Sequence, residues 1–188
     1  KFSLIAPRDL ILAYSPKNDS LPKLFDFTKT LQKTEKEGEA QVSFQINKDL
    51  DIPSQGYFLN IAEKRITIKA KDEAGLFYGF TTLDQITEDA TLQGVNLPLI
   101  QIKDYPELTY RSVHWDVKHH LDKEAYYYDL IDKMSRQKIN GVILEIEDKL
   151  KYNSHPNIGS ADAFSSNQWL AISEYANERH ISISPLVQ

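Results

Sequence analysis

The sequence has no cysteine and a single methionine. Without cysteine there are no disulfides, no thiolate metal sites and no cysteine nucleophile; the compartment stays open, since many exported bacterial proteins also lack the residue. No run of eighteen apolar residues occurs, which excludes a transmembrane helix. The lysines are scattered and the net charge is −5, so neither nucleic acid nor an anionic membrane is expected as a partner. There is no glycine-rich phosphate loop, no Ser-His-Asp arrangement and no basic-aromatic stripe, and no cofactor is implied. The chain opens on Lys1 with neither a methionine nor an apolar leader, which suggests a processed or engineered start.

What is present is an ordinary globular composition, 41% hydrophobic and 26% charged over 188 residues. That length suits one full domain, or a small domain plus part of another. From Ala40 to Asn47 apolar and polar residues alternate, the period of a half-buried strand. Gly56 to Ala70 repeats the pattern as a hairpin turning at Glu63-Lys64. Leu10–Tyr14 reads as a further strand, Leu21–Gln32 as a helix and Thr34–Glu39 as a charged loop. One polar face on these strands predicts an antiparallel sheet that is wet on one side. Asp72 should cap a helix carrying Leu76, Phe77, Phe80 and Leu83 on its apolar stripe. Gly75 and Gly79, one turn apart on that helix, each cost about 1 kcal/mol of helix propensity relative to alanine, so close backbone approach to the sheet is expected there. A strand at Leu97–Ile102 follows the exit at Gly94, and Pro106 marks the boundary between domains at 1–105 and 106–188.

After the boundary, strands alternate with helices. Val113–Val117, Val142–Ile146 and Ile181–Val187 read as strands; Asp122–Lys138, stopped by Asn140-Gly141, and Ser166–Arg179 read as helices. Two consecutive βαβ units imply parallel strands with right-handed crossovers. A complete eight-stranded barrel needs about 250 residues, so periodicity alone leaves two options, part of a barrel or a small α/β domain of another kind.

Specific strings narrow the choice. Gly56-Tyr57-Phe58-Leu59, Ile66-Thr67-Ile68 and Asp72-Glu73-Ala74-Gly75-Leu76-Phe77-Tyr78-Gly79, with Thr82-Leu83-Asp84-Gln85 after it, resemble the amino-terminal domain that precedes the barrel in glycoside hydrolase family 20. Related domains precede the barrels of family 84 O-GlcNAc hydrolases and family 67 α-glucuronidases, so these strings alone leave the activity open. Asp104-Tyr105-Pro106, Tyr110-Arg111 and Asp116 resemble the start of the family 20 barrel. Val113-His114-Trp115-Asp116-Val117-Lys118, Asn140 to Asp148 and Pro185-Leu186-Val187-Gln188 are most similar to its hexosaminidase D type.

The resemblance implies a zincin-like α+β domain, an antiparallel sheet with helices on one face, followed by the first three strands of a (β/α)8 TIM barrel. It implies a retaining exo-hydrolase of terminal β-linked N-acetylhexosamine, in which the substrate's own acetamido oxygen attacks the anomeric carbon. In that family an adjacent Asp-Glu pair on the fourth barrel strand orients the acetamide and serves as acid and base. This chain ends on the third strand, so the resemblance leaves it without the pair and predicts no glycosidase activity for it alone. The expected partner is a glycan ending in N-acetylhexosamine. Export in a bacterium and self-association through an open barrel edge at Val187 are further expectations. The other readings are a non-catalytic carbohydrate-binding module derived from such an enzyme, and another glycosidase that shares the amino-terminal domain.

Barrel chemistry gathers at the carboxyl ends of strands. Asp116, Lys118 and His119 end the first strand, Glu145, Glu147 and Asp148 the second, and Gln188 the third. The resemblance places Asp148 at a substrate-subsite aspartate; its plain alternative is an acidic cap of the loop. The family's usual arginine contact to the sugar falls on His119, and Lys118 could supply the cation instead, as a point charge rather than a two-pronged donor. Glu145 and Glu147, two apart on a strand, should face the same side; acid–base work and simple pairing to lysine are both open. Arg111 begins the first strand, far from that end, and is read as structural. His119-His120 with Asp122 lacks a third ligand at metal-site spacing, so no metal is expected. Of Tyr126, Tyr127 and Tyr128, one should point inward.

Overall fold

In the computed structural model, described for Phe25 and residues 41–186, the chain divides into two compact units, one ending at Thr109 and the other starting at Tyr110. The strand and helix expected at Leu10–Tyr14 and Leu21–Gln32, the Thr34–Glu39 loop, and Val187 and Gln188 lie outside the described residues.

The first unit contains β1 (Val42–Ile46), β2 (Tyr57–Ile61), β3 (Ile66–Ala70), α1 (Glu73–Gln93) and β4 (Ile100–Asp104). Its sheet has the order β1-β3-β2-β4. The alternation decides which side is wet. Phe44, Ile68, Leu59 and Ile102 lie in register on one face, while Gln45, Lys69, Phe58 and Lys103 lie in register on the other. The expectation of a wholly antiparallel sheet needs correcting, because β1 pairs parallel with β3. The hairpin inserts β3 between β1 and β2, so β1 pairs with the returning arm rather than with the strand that follows it in sequence. Period two reports which side is buried and is blind to direction.

α1 covers the apolar face. Asp72 caps it as expected: one carboxylate oxygen accepts from Gly75 N at 2.8 Å, and the other accepts from Ser54 Oγ at 2.7 Å and Gln55 N at 2.8 Å. A β-carbon on Gly75 would lie 2.4 Å from the Gly56 carbonyl oxygen, and one on Gly79 would lie 2.6 Å from Ile68 Cγ2. Both glycines thus mark the close approach that their helix cost foreshadowed. The helix ends at Gly94, φ +65°, where Val95 N donates to Ala90 O at 3.0 Å. Leu76, Phe77, Phe80 and Leu83 are buried with Phe25, Ile66, Ile68 and Leu59, each such side chain contributing about 1.5–3 kcal/mol of transfer free energy. β4 begins three residues later than expected. Leu97 is buried ahead of it, and Pro98 between the two cannot donate a ladder hydrogen bond.

The second unit contains β5 (Ser112–Asp116), α2 (Glu124–Arg136), β6 (Gly141–Glu145), β7 (Leu150–Lys151), β8 (Phe164–Ser165), α3 (Ser166–Asn177) and β9 (Ser182–Leu186). β5, β6 and β9 form a wholly parallel three-stranded sheet in that order. Val142, Leu144 and Trp115 are buried with Tyr127, Ile131 and Met134 of α2 and Trp169, Ile172 and Ala176 of α3. Tyr127 is the inward tyrosine, its ring 5.4 Å from Trp115 and 5.5 Å from Trp169. α2 is shorter than expected, since Lys138 (φ +56°) rather than Asn140-Gly141 ends its run. Gly141 is a strand residue instead, where a β-carbon would lie 2.4 Å from the Tyr110 ring. α3 starts on a capping box between Ser165 and Gln168. The short β7–β8 pair, parallel and two residues long on each side, left no periodic trace in the sequence.

Candidate functional site

β5 and β6 run in register, so their last residues, Asp116 and Glu145, are side by side at one end of the parallel sheet. Period two also puts His114 on the same side of β5 as Asp116. Lys118 folds back over the pair. Its backbone N–H donates to Asp116 Oδ1 at 3.1 Å, and its ammonium lies 3.4 Å from Asp116 Oδ2 and 2.7 Å from Glu145 Oε1. On the other side of Glu145, His114 Nε2 is 3.1 Å from Oε2. The Glu145 side chain is only 4% exposed, and each of its oxygens meets a protein side chain.

The electrostatics follow from these contacts. Bonding to Glu145 raises the Lys118 pKa, against a desolvation effect that lowers it, and Asp116 adds to the rise. For Asp116, desolvation pushes the carboxyl pKa up. Hydrogen bonds from the Lys118 backbone and ammonium, with the charges of Lys118 and His119, outweigh that and leave it lowered. Both groups are therefore held charged, and the ammonium, with three protons to give, has one left beyond the two carboxylates.

The six carboxyl-end residues of β5 and β6 do not all meet. His119 is exposed beside Asp116. Glu145 and Glu147 do not share a side, contrary to expectation. β6 ends at Glu145, Glu147 sits in a turn with φ +39°, and its side chain is exposed. Of the two readings of Glu145, the structure realises pairing to lysine. Asp148 belongs to a separate cluster. Its carboxylate lies 3.4 Å from the ammonium of Lys149, whose side chain is 8% exposed and also reaches Ser160 Oγ at 3.2 Å and Asp162 Oδ1 at 3.4 Å. The Lys149 carbonyl accepts from Trp169 Nε1 at 2.9 Å, which ties the loop to the core. Among the described residues, no hydrogen bond or ion pair joins Asp148 or Glu147 to the Lys118 group.

Arg111 is structural, as expected. Its Nε donates to Lys138 O at 2.7 Å and its backbone N–H to Asn140 Oδ1 at 2.7 Å, at the opposite end of β5. Two residues of these clusters escaped the sequence reading. His114 could have been found from strand spacing, two residues before Asp116. Lys149 could not: burial of a lysine beside an exposed turn has no sequence signature.

Comparison with known proteins follows the same lines. The family profile "Glycosyl hydrolase family 20, domain 2" matches residues 17–105. The β-hexosaminidase B of Pseudoalteromonas piscicida is 28% identical over 117 residues, covering 62% of this chain and 14% of its own length. The β-N-acetylhexosaminidase of Cellulomonas fimi is 25% identical over 122 residues, covering 65% of this chain and 25% of its own length. Among solved structures, the β-N-acetylhexosaminidase of Bacteroides fragilis superposes with a TM-score of 0.81 at 21% identity, covering 95% of this chain and 40% of that one. A Streptomyces plicatus β-hexosaminidase variant solved with its product GlcNAc gives 0.75 at 23% identity, covering 95% and 41%. The chain thus spans a quarter or less of the length of these curated relatives.

Residues 17–105 thus match a domain of glycosyl hydrolase family 20, and the described residues share the fold of solved β-N-acetylhexosaminidases.

Proposed function

We propose that these residues form part of a retaining exo-β-N-acetylhexosaminidase, with a zincin-like first domain and the opening three strands of a (β/α)8 barrel as the second. Under this reading the carboxyl ends of β5 and β6 hold part of the sugar subsite. Asp116 and Lys118 supply an acceptor and a donor side by side, which suits a sugar hydroxyl, since a hydroxyl both gives and takes a hydrogen bond. His119, Glu147 and Asp148 extend the subsite along the two strand ends. The observation that carries this reading is the Asp116–Lys118–Glu145 group, charged and gathered at the end of a parallel sheet where barrel enzymes work.

Cleavage would follow the substrate-assisted route: the 2-acetamido oxygen forms the bond to the anomeric carbon as the glycosidic bond breaks, and water later opens the oxazolinium with retention. The Asp-Glu pair that orients the acetamide and moves the proton is proposed to lie on a fourth strand, beyond these 188 residues. Hexosaminidase D-like specificity is part of the proposal, supported by the strings from Val113 to Lys118 and from Asn140 to Asp148.

The test is an assay of the protein encoded by the whole reading frame on nitrophenyl β-N-acetylglucosaminide and β-N-acetylgalactosaminide, beside the 188-residue chain. Turnover by the former and none by the latter is expected. A folded whole protein that cleaves neither substrate overturns the hydrolase reading.

A further inference from the structure

Glu145 is a carboxylate that the proposed reaction does not use. It is buried to 4% exposure at the end of β6, and each of its oxygens meets a different side chain: Oε1 the Lys118 ammonium at 2.7 Å, Oε2 the His114 ring at 3.1 Å. A buried carboxylate is costly unless it is paired on both sides, and this one is. At 4% exposure it is ill placed to touch a substrate. Its neighbours are well placed. Lys118 is 26% exposed and Asp116 42%, so the ammonium is anchored at its inner side and open at its outer side. A lysine left to itself is a flexible point charge that loses rotamer freedom on gripping a ligand. Here that freedom is already restricted by the bond to Glu145.

We infer that Glu145 is the positioning residue of this site: it fixes the Lys118 ammonium so that its remaining proton is directed at a sugar hydroxyl, while His114 holds the other carboxylate oxygen and prevents Glu145 from turning away. This rests on the proposed sugar-binding reading and names the part of the site that determines affinity. Lys118, not Glu145, touches the ligand. Glu145→Gln should therefore act only through Lys118.

The protein encoded by the whole reading frame allows the test, with N-acetylglucosamine as the probe. The Lys118 ammonium is first observed in the wild type by side-chain 15N NMR; slow proton exchange, unlike that of the exposed lysines Lys48 and Lys64, is expected. Exchange as fast as theirs overturns the inference without any variant. Sugar affinity is then measured for wild type, Glu145→Gln, Lys118→Met and the double variant. A loss of about tenfold for each single variant is expected, the scale of a hydrogen bond to a charged group. The double variant should lose no more than either single one. Additive losses, or an unchanged Glu145→Gln affinity beside a weakened Lys118→Met, overturn the positioning role. Should Glu145→Gln fail to fold, Glu145→Asp keeps the charge and withdraws the carboxylate by one methylene; it should speed Lys118 proton exchange, and unaltered exchange overturns the role. A wild type with a slowly exchanging ammonium and no sugar binding is a different result. It rejects the sugar-site reading, and the inference with it.

Discussion

The two units solve the same packing problem with opposite materials. In the first, a helix closes on a sheet because two side chains are missing. Gly75 and Gly79 let α1 approach so closely that a β-carbon would fall within 2.6 Å of its neighbours. In the second, aromatic rings pack between the helices and a parallel sheet: the Tyr127 ring lies 5.4–5.9 Å from those of Trp115, Trp169 and Phe164. Close backbone approach leaves little room for anything but core. The Lys118 and Lys149 clusters are found in the second unit. Packing style thus separates a glycine-packed unit from one whose strand ends and loops carry charged clusters.

The sharpest way to break that contrast is to empty the aromatic cluster. Tyr127→Ala should cost about 3–5 kcal/mol, the usual range for a large aromatic removed from a core. Both tryptophans of the chain, Trp115 and Trp169, lie in the second unit, so intrinsic fluorescence reports on it selectively. The fluorescence transition in denaturant should move to lower concentration while amide protection in α1 stays as it was. Loss of α1 protection in parallel would show that the two units unfold as one.

Filling the first unit is the complementary change. Gly75→Ala places a methyl group 2.4 Å from the Gly56 carbonyl, an atom of the main chain that cannot swing aside. Overpacking of this kind costs about 1–3 kcal/mol, and alanine's better helix propensity recovers about 1 kcal/mol of it. A net loss, read from α1 amide exchange with tryptophan fluorescence unchanged, is expected. A more stable variant would mean that the close approach is not a packing requirement. Gly94→Ala is a milder control. Nothing lies within 4 Å of the added carbon there, but φ is +65°, so the cost is backbone strain alone, about 1 kcal/mol.

These glycines show what a sequence makes legible. Two glycines on one helical stripe beside Leu76 and Phe80 are a cost that only a close neighbour explains, and the alternation in β1, β2 and β3 selects the wet face residue by residue. Strand direction carries no such mark, which is why the parallel β1–β3 pair differs from expectation. The same division runs through the site. Asp116 and Lys118 are legible because strand ends are predictable from βαβ spacing. The separation of Glu145 from Glu147 is not, because it depends on one turn residue taking φ +39°. Neither is the burial of Lys149, which comes from a loop returning through Ser160 and Asp162 to enclose it.

The smallest expected effect is one of pH, and it bears on the second unit alone. Asp116 keeps its charge below the ordinary carboxylate range, so its contribution is present above that range and is lost as pH falls through its lowered value. Lys118 titrates above the ordinary lysine range, so its contribution is present below that range and is lost as pH rises through its raised value. Both groups are solvent-accessible, which keeps the stabilisation small and sensitive to salt. The stability difference between wild type and Lys118→Met should therefore form a plateau that spans neutral pH and declines at both extremes. Thermal melts across the range, followed by tryptophan fluorescence, would trace it. A difference that does not vary with pH would show that the two charges add no stability.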